Sequence, residues 1–276
     1  MAMKLNRRDF AKKTLATAGV AAAGLYIPSV LEAAGKDEWA DLTGRFVVEG
    51  TPPEPAKLKV DKDVECCGKF DLRDESLTIG KDGGLANVYV YLRTKTREKV
   101  DICPELAKSV PKHVVLDNRD CIFKPHCMSI WTDKQELSIV NSDPVAQNVA
   151  FSPLGGKPAN IVLPAPPDKA SKATWTFKKK QRLPVTIACN YHPWEVAYIL
   201  PLDHPYCAIS KDDGTFTIPK LPVGKNLEFQ VWQERIGYLA TDDWKLGRIK
   251  IKIKPGKNDL GTIKLQLDKF PKNDNK

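Results

Sequence analysis

Apolar residues along this chain recur at every second position or in short runs, and seldom with helical spacing. Leu85-Ala86-Asn87-Val88-Tyr89-Val90-Tyr91-Leu92 follows Gly83-Gly84, is rich in β-branched and aromatic residues, and reads as a buried strand. Strand candidates also lie at residues 44–50, 113–117, 137–140, 148–151, 173–177 and 183–188. Thr51 to Pro55 reads as a turn, and the Pro-, Gly- and Lys-rich stretch from Ala146 to Ala173 as a long loop. Further on, Asp212-Asp213-Gly214 predicts a turn, Thr215–Ile218 alternates, Pro219–Gly224 turns again, and Leu227–Trp232 alternates. Arg248 to Lys254 alternates Ile with Lys or Arg, which predicts a half-buried antiparallel strand with a basic outer face. Leu260–Leu267 is its expected partner, and residues 271–276 read as a disordered tail. Short strands at this spacing, with 21 prolines, predict an all-β sandwich or barrel.

The N-terminus departs from this pattern. Asn6-Arg7-Arg8-Asp9-Phe10-Ala11-Lys12 precedes a soft apolar run from Leu15 to Leu25, and small residues follow at Ala33-Ala34-Gly35. This is the anatomy of an export signal, and the pair Arg7-Arg8 points to the twin-arginine route. The expected location is the periplasm or cell envelope. Removing residues 1–34 takes the net charge from +9 to +6, and no later apolar stretch is long enough to span a membrane. The densest basic run, Lys178-Lys179-Lys180-Gln181-Arg182, reads as a solvated face or edge guard, and no nucleic-acid partner is expected.

Seven cysteines are compatible with export. Cys66, Cys67, Cys103, Cys121, Cys127 and Cys207 are candidates for disulfides, and the odd total leaves at least one unpaired within the chain. If Cys121 and Cys127 share a strand they cannot pair, since six residues of strand cover about 20 Å and a disulfide needs Cα atoms within about 7 Å. For the adjacent Cys66 and Cys67, one bonded cysteine beside a free neighbour is favoured over a vicinal ring.

Candidate chemistry concentrates in Cys189-Asn190-Tyr191-His192-Pro193-Trp194-Glu195. A thiolate and an imidazole three positions apart, on a loop leaving a strand, can reach one metal ion. Copper electron-transfer sites use one thiolate, two imidazoles and a weak axial ligand. The competing reading is a structural cysteine beside a surface histidine. No Gly-x-Ser-x-Gly elbow, phosphate loop or His-Glu-x-x-His helix is present, so an enzyme is not expected.

Several segments, in order, resemble the cupredoxin-like proteins labelled methylamine-utilisation or plastocyanin-like, in their planctomycete-type envelope versions. They are Cys67-Gly68-Lys69, Glu75-Ser76-Leu77, residues 83–90, Phe123-Lys124-Pro125-His126, Asn141-Ser142-Asp143-Pro144, His192-Pro193-Trp194, Asp203-His204-Pro205-Tyr206, residues 214–218, residues 221–224 and Val231-Trp232. The resemblance implies a Greek-key β-sandwich at 35–202, followed at 203–268 by a region similar to carboxypeptidase-regulatory or transthyretin-like β modules, with 269–276 as tail. It places the family's copper thiolate on Cys189 and its following histidine on His192. The upstream histidine falls on Gln147 and the axial methionine on Glu195, so half of that ligand set is replaced. His126 is an alternative imidazole, with Met128 two residues on. The expectation is an exported cupredoxin-like protein with an altered, copper-binding electron-transfer site and a redox partner protein. The alternative is a metal-free β-sandwich serving as a binding or structural module of the envelope.

Overall fold

The computed structural model describes residues 38–166 and 170–271. The export signal with Arg7 and Arg8, its boundary at residue 34 and most of the expected tail lie outside the described residues. The strands are β1 (Trp39–Glu49), β2 (Tyr89–Leu92), β3 (His113–Arg119), β4 (Ile122–Lys124), β5 (Cys127–Trp131), β6 (Glu136–Asn141), β7 (Gln147–Phe151), β8 (Ala159–Leu163) and β9 (Ser171–Trp175). They continue with β10 (Val185–Ala188), β11 (Val196–Leu202), β12 (Cys207–Ile209), β13 (Thr215–Pro222), β14 (Asn226–Gln233), β15 (Gly237–Tyr238), β16 (Arg248–Lys252) and β17 (Asn258–Gln266). Two short helices, α1 (Val64–Cys67) and α2 (Pro104–Ser109), lie in the connections.

Among the described residues the strands form four sheets, ordered β13-β1-β17, β12-β2-β14-β15 with β16 on β14, β5-β11-β10-β7-β8, and β4-β3-β6-β9. Period-two alternation stacks them in layers. In β2, Val90 and Leu92 join a core with Phe46, Phe216, Phe229 and Ile263 of the first two sheets. Tyr89 and Tyr91 point the other way, onto Leu200 and Leu202 of β11. In turn β11 sends Ala197 and Ile199 into the core between the last two sheets, with Leu116, Phe123, Leu137, Ile139, Val149 and Ile187. This last pair of sheets is the β-sandwich expected of the all-β class. Fully burying a side chain such as Phe46, stacked on Phe216 at 5.2 Å, stabilises the fold by roughly 1.5–3 kcal/mol.

Three expectations are corrected. The stretch 146–173 holds β7, β8 and the start of β9; Ala159–Leu163 has too few residues, between Pro158 and Pro164, to stand out as a strand. Pro219 lies inside β13, which is tolerated because β13 pairs only with β1, at a sheet edge. Leu260–Leu267 does not pair with β16: β16 pairs with β14, and β17 runs parallel to β1. The region after Asp203 therefore closes no sheet of its own that carries β13 or β17; both join through β1, and β12 reaches β14 only through β2. The turn at 212–214 is present. Gly214 has φ 80°, and a Cβ there would stand 2.0 Å from the Phe46 carbonyl oxygen.

Candidate metal centre

The sandwich core ends in a polar cluster. Cys189 follows β10, Glu195 precedes β11, Gln147 opens β7, and Asn118 is the penultimate residue of β3. Antiparallel pairing of β10 with β7 and β11 brings these strand ends together. Cys189, His192, Glu195, Gln147 and Asn118 are all buried. The turn from Cys189 to Glu195 is closed by Glu195 N–H donating to the His192 carbonyl (2.9 Å) and Cys189 N–H donating to the Glu195 carbonyl (3.2 Å).

Four donor atoms converge. Cys189 Sγ lies 3.7 Å from His192 Nδ1 and 3.5 Å from Gln147 Oε1. His192 Nδ1 lies 2.8 Å from Gln147 Oε1 and 3.3 Å from Glu195 Oε1. Each donor is aimed from behind. The other imidazole nitrogen, Nε2, sits 2.8 Å from Asp63 Oδ2. The Gln147 amide nitrogen donates to Asp143 (2.9 Å), which turns its oxygen inward. Asn118 donates to Glu195 Oε2 (2.8 Å), leaving Oε1 inward without a hydrogen-bond partner of its own. The His192 backbone N–H points at Cys189 Sγ (3.4 Å).

These spacings fit a small tetrahedral ion. Nitrogen or oxygen at about 2.0–2.1 Å and sulfur at about 2.3 Å place neighbouring ligands roughly 3.3–3.6 Å apart. Only the Nδ1–Gln147 separation is shorter, at hydrogen-bond length. Burial disfavours a charged His192, but contacts with Cys189 and with the carboxylates of Glu195 and Asp63 outweigh it and push the imidazole up to about 10. Burial also raises Asp143, against the opposing bond from Gln147.

Cys189, His192, Glu195 and Gln147 are thus brought together, and His126 is not among them. It precedes the first residue of β5, outside that strand's alternation. Its Nε2 lies 2.7 Å from Glu234, its ring packs edge-on to Tyr198, and Met128 points into the sandwich core. Asp63, Asn118 and Asp143 escape the sequence reading. Only Asp143 carried a signal, inside Asn141-Ser142-Asp143-Pro144. The sole disulfide among the described residues is Cys67–Cys121; Cys66, Cys103, Cys127, Cys189 and Cys207 are free. Cys66 beside bonded Cys67 is the favoured arrangement of that pair.

No family model and no curated protein matches the chain. Among solved structures it is similar to an oxidised amicyanin mutant, at 15% identity and TM-score 0.27, over 35% of this chain and 89% of that one. It is similar to a purple cupredoxin from Nitrosopumilus maritimus, at 17% and 0.25, over 33% of this chain and all of that one. A copper-containing nitrite reductase from Thermus scotoductus is similar at 18% and 0.28, over 37% of this chain and 27% of that one. These structural neighbours are cupredoxins or a copper enzyme; at such TM-scores the likeness says nothing of what this chain binds.

Proposed function

We propose that the chain is an exported, cupredoxin-like electron-transfer protein whose Cys189, His192, Glu195 and Gln147 hold copper. One observation carries the reading: Asp63 engages His192 Nε2, so Nδ1 faces Cys189 Sγ, Gln147 Oε1 and Glu195 Oε1. A carboxylate on the far nitrogen of a ligating imidazole fixes its tautomer and direction. Copper would supply one-electron chemistry. The protein's part is to offer a thiolate and an imidazole, to set two harder oxygens where a second imidazole and a thioether are usual, and to exclude water. Harder donors favour the oxidised ion and a lower potential. Export through Arg7-Arg8 and transfer to a redox partner protein belong to the same proposal.

The test is to reduce the purified protein gently, add Cu(II), and record metal content and the visible spectrum. Stoichiometric copper with a thiolate charge-transfer band, absent in Cys189→Ser, is the expected result. No bound copper at equimolar metal would overturn it. The 2.8 Å Nδ1–Gln147 contact favours one second reading, a metal-free module of the envelope in which the same side chains form a closed polar network.

A further inference from the structure

A second site lies at the opposite end of the sandwich. Leu202, at the end of β11, borders a cleft of about 1050 Å³, while Glu195 stands at the start of that strand, which puts the cleft about 20 Å or more from the cysteine–histidine cluster. Three stretches distant in sequence meet there: the segment after β2, residues 179–182 before β10, and the edge formed by β14 and β16. Nine Lys or Arg side chains line the cleft against three carboxylates. Its excess of six positive charges compares with nine for the whole chain, so the basicity of this protein is concentrated here.

Part of that charge is already partnered. Arg93 pairs with Glu228, Lys225 with Asp101, and Lys180 with Asp203 outside the lining. Lys250 lies 3.8 Å from Glu228. Lys95, Lys99, Lys179, Arg182 and Arg248 are exposed, and among the described residues their charged side-chain ends form no ion pair, although the Lys95 backbone N–H donates to Glu98 (2.7 Å). Like charges gathered without counter-ions destabilise a fold by repulsion and raise the local concentration of anions. The edge-guard reading of Lys178–Arg182 accounts for one run. It does not account for runs from three parts of the chain closing on one concavity.

The lining also narrows the ligand. Its one aromatic ring, Tyr91, is buried, with its hydroxyl donating to the Arg182 carbonyl (2.6 Å). No exposed ring is present on which a base could stack, and stacking is worth roughly 1–3 kcal/mol per base in single-strand binders. Lysine outnumbers arginine by six to three, which suits closely spaced point charges better than planar carboxylates met by a guanidinium fork. The volume slightly exceeds the usual 300–1,000 Å³ of small-molecule pockets. We propose that this cleft binds an oligophosphate chain, a linear run of phosphate groups without bases, independently of whether the Cys189 cluster holds a metal.

The experiment titrates the purified protein by calorimetry with a short linear inorganic polyphosphate at near-physiological salt. Parallel arms use orthophosphate, an oligothymidylate of matched charge, and a sulfated oligosaccharide of matched charge. Saturable polyphosphate binding that is tighter than any other arm is expected. The triple substitution Lys95→Gln, Lys179→Gln, Arg248→Gln should weaken it about tenfold or more and flatten the log–log salt dependence by about 2, at roughly 0.7 per cation removed. Lys112→Gln with Lys172→Gln, exposed elsewhere, should leave it unchanged. If the triple variant fails to fold, Arg248→Gln alone should flatten the slope by about 0.7. No binding, equal losses in both multiple variants, or equal affinity for the oligothymidylate or the saccharide would overturn the proposal.

Discussion

The imidazole of His192 links folding, pH and metal binding, and the structure fixes the sign of each. In the metal-free protein the ring is charged up to about pH 10, against an ordinary value of 6.5. The folded state then holds a proton that the unfolded chain releases between pH 6.5 and 10. The stabilisation is complete below 6.5 and is lost as pH rises through 10, with a slope approaching 1.4 kcal/mol per pH unit, or about that for one proton. Replacing Asp63 with Asn removes one of the three groups that outweigh burial. Opposite charges about 4 Å apart attract by about 1 kcal/mol in water and about 4 at an effective dielectric of 20. The Asp63 side chain is 47% exposed, so solvent screening puts the pair toward the lower figure, and the midpoint should fall by roughly one pH unit. NMR titration of ¹⁵N-labelled histidine in metal-free wild type and Asp63→Asn reads this directly. Urea unfolding at several pH values in the same window, with His192→Gln as reference, reads the linked stability. Metal must displace the Nδ1 proton and takes Cys189 as the thiolate, so copper affinity should rise at least about tenfold per pH unit over that range while the metal-free fold weakens. A His192 midpoint at or below 6.5, or one unmoved by Asp63→Asn, would refute the reasoning.

Three further outcomes follow from contacts elsewhere. Cys121→Ser opens a loop with a sequence separation of 54 and should cost about 4 kcal/mol on chain-entropy grounds. Cys67→Ser should cost much less, because Cys66 Sγ lies within 4.8 Å of Cys121 Sγ and can replace its neighbour; urea melts and disulfide mapping by mass spectrometry distinguish the two. Asn118→Ala strips Glu195 of a buried donor and should destabilise the protein by about 1.5–3 kcal/mol, while weakening copper binding in the same titration. The Tyr89 hydroxyl lies 2.9 Å from the Met128 carbonyl and 2.8 Å from the Tyr198 carbonyl, and accepts from Met128 N–H. Tyr89→Phe should therefore cost about 1–3 kcal/mol, measured by chemical denaturation.

Period-two alternation made strands with one wet face legible, as in β16, while β2, buried on both faces, was legible as a continuous apolar run. Pairing was not legible. Leu260–Leu267 follows β16 closely and looks like its hairpin partner, yet β17 crosses to β1 in parallel, some 200 residues earlier in sequence. A parallel partner leaves no turn signal. At the site, Cys189, His192 and Glu195 were readable because three positions of one loop carry them, and Gln147 because a motif precedes it. His126 was offered as an alternative imidazole on the resemblance of Pro125-His126 alone, and its ring instead meets Glu234 and Tyr198. Asp63 had no local sign at all: a carboxylate in a Lys- and Asp-rich segment is a surface residue on every sequence criterion, and only the fold brings it to His192.

What holds Asp63 there is the disulfide, and this gives a structural role to a pairing the sequence left open. Asp63 sits in the left-handed region, at φ 44°, as the residue before α1, and its carbonyl accepts the N–H groups of Cys66 and Cys67. Cys67 is bonded to Cys121, in the turn between β3 and β4. The Cys121 N–H donates to Asp143, which orients Gln147, and the Cys121 carbonyl accepts the indole N–H of Trp194, between His192 and Glu195. One covalent bond thus ties the carboxylate behind His192 to the same turn that positions Gln147 and the loop from Cys189 to Glu195. Reducing it in the folded protein should loosen Asp63 first. The His192 midpoint should then fall toward that of Asp63→Asn, and reduction of the Asp63→Asn variant itself should produce little further change.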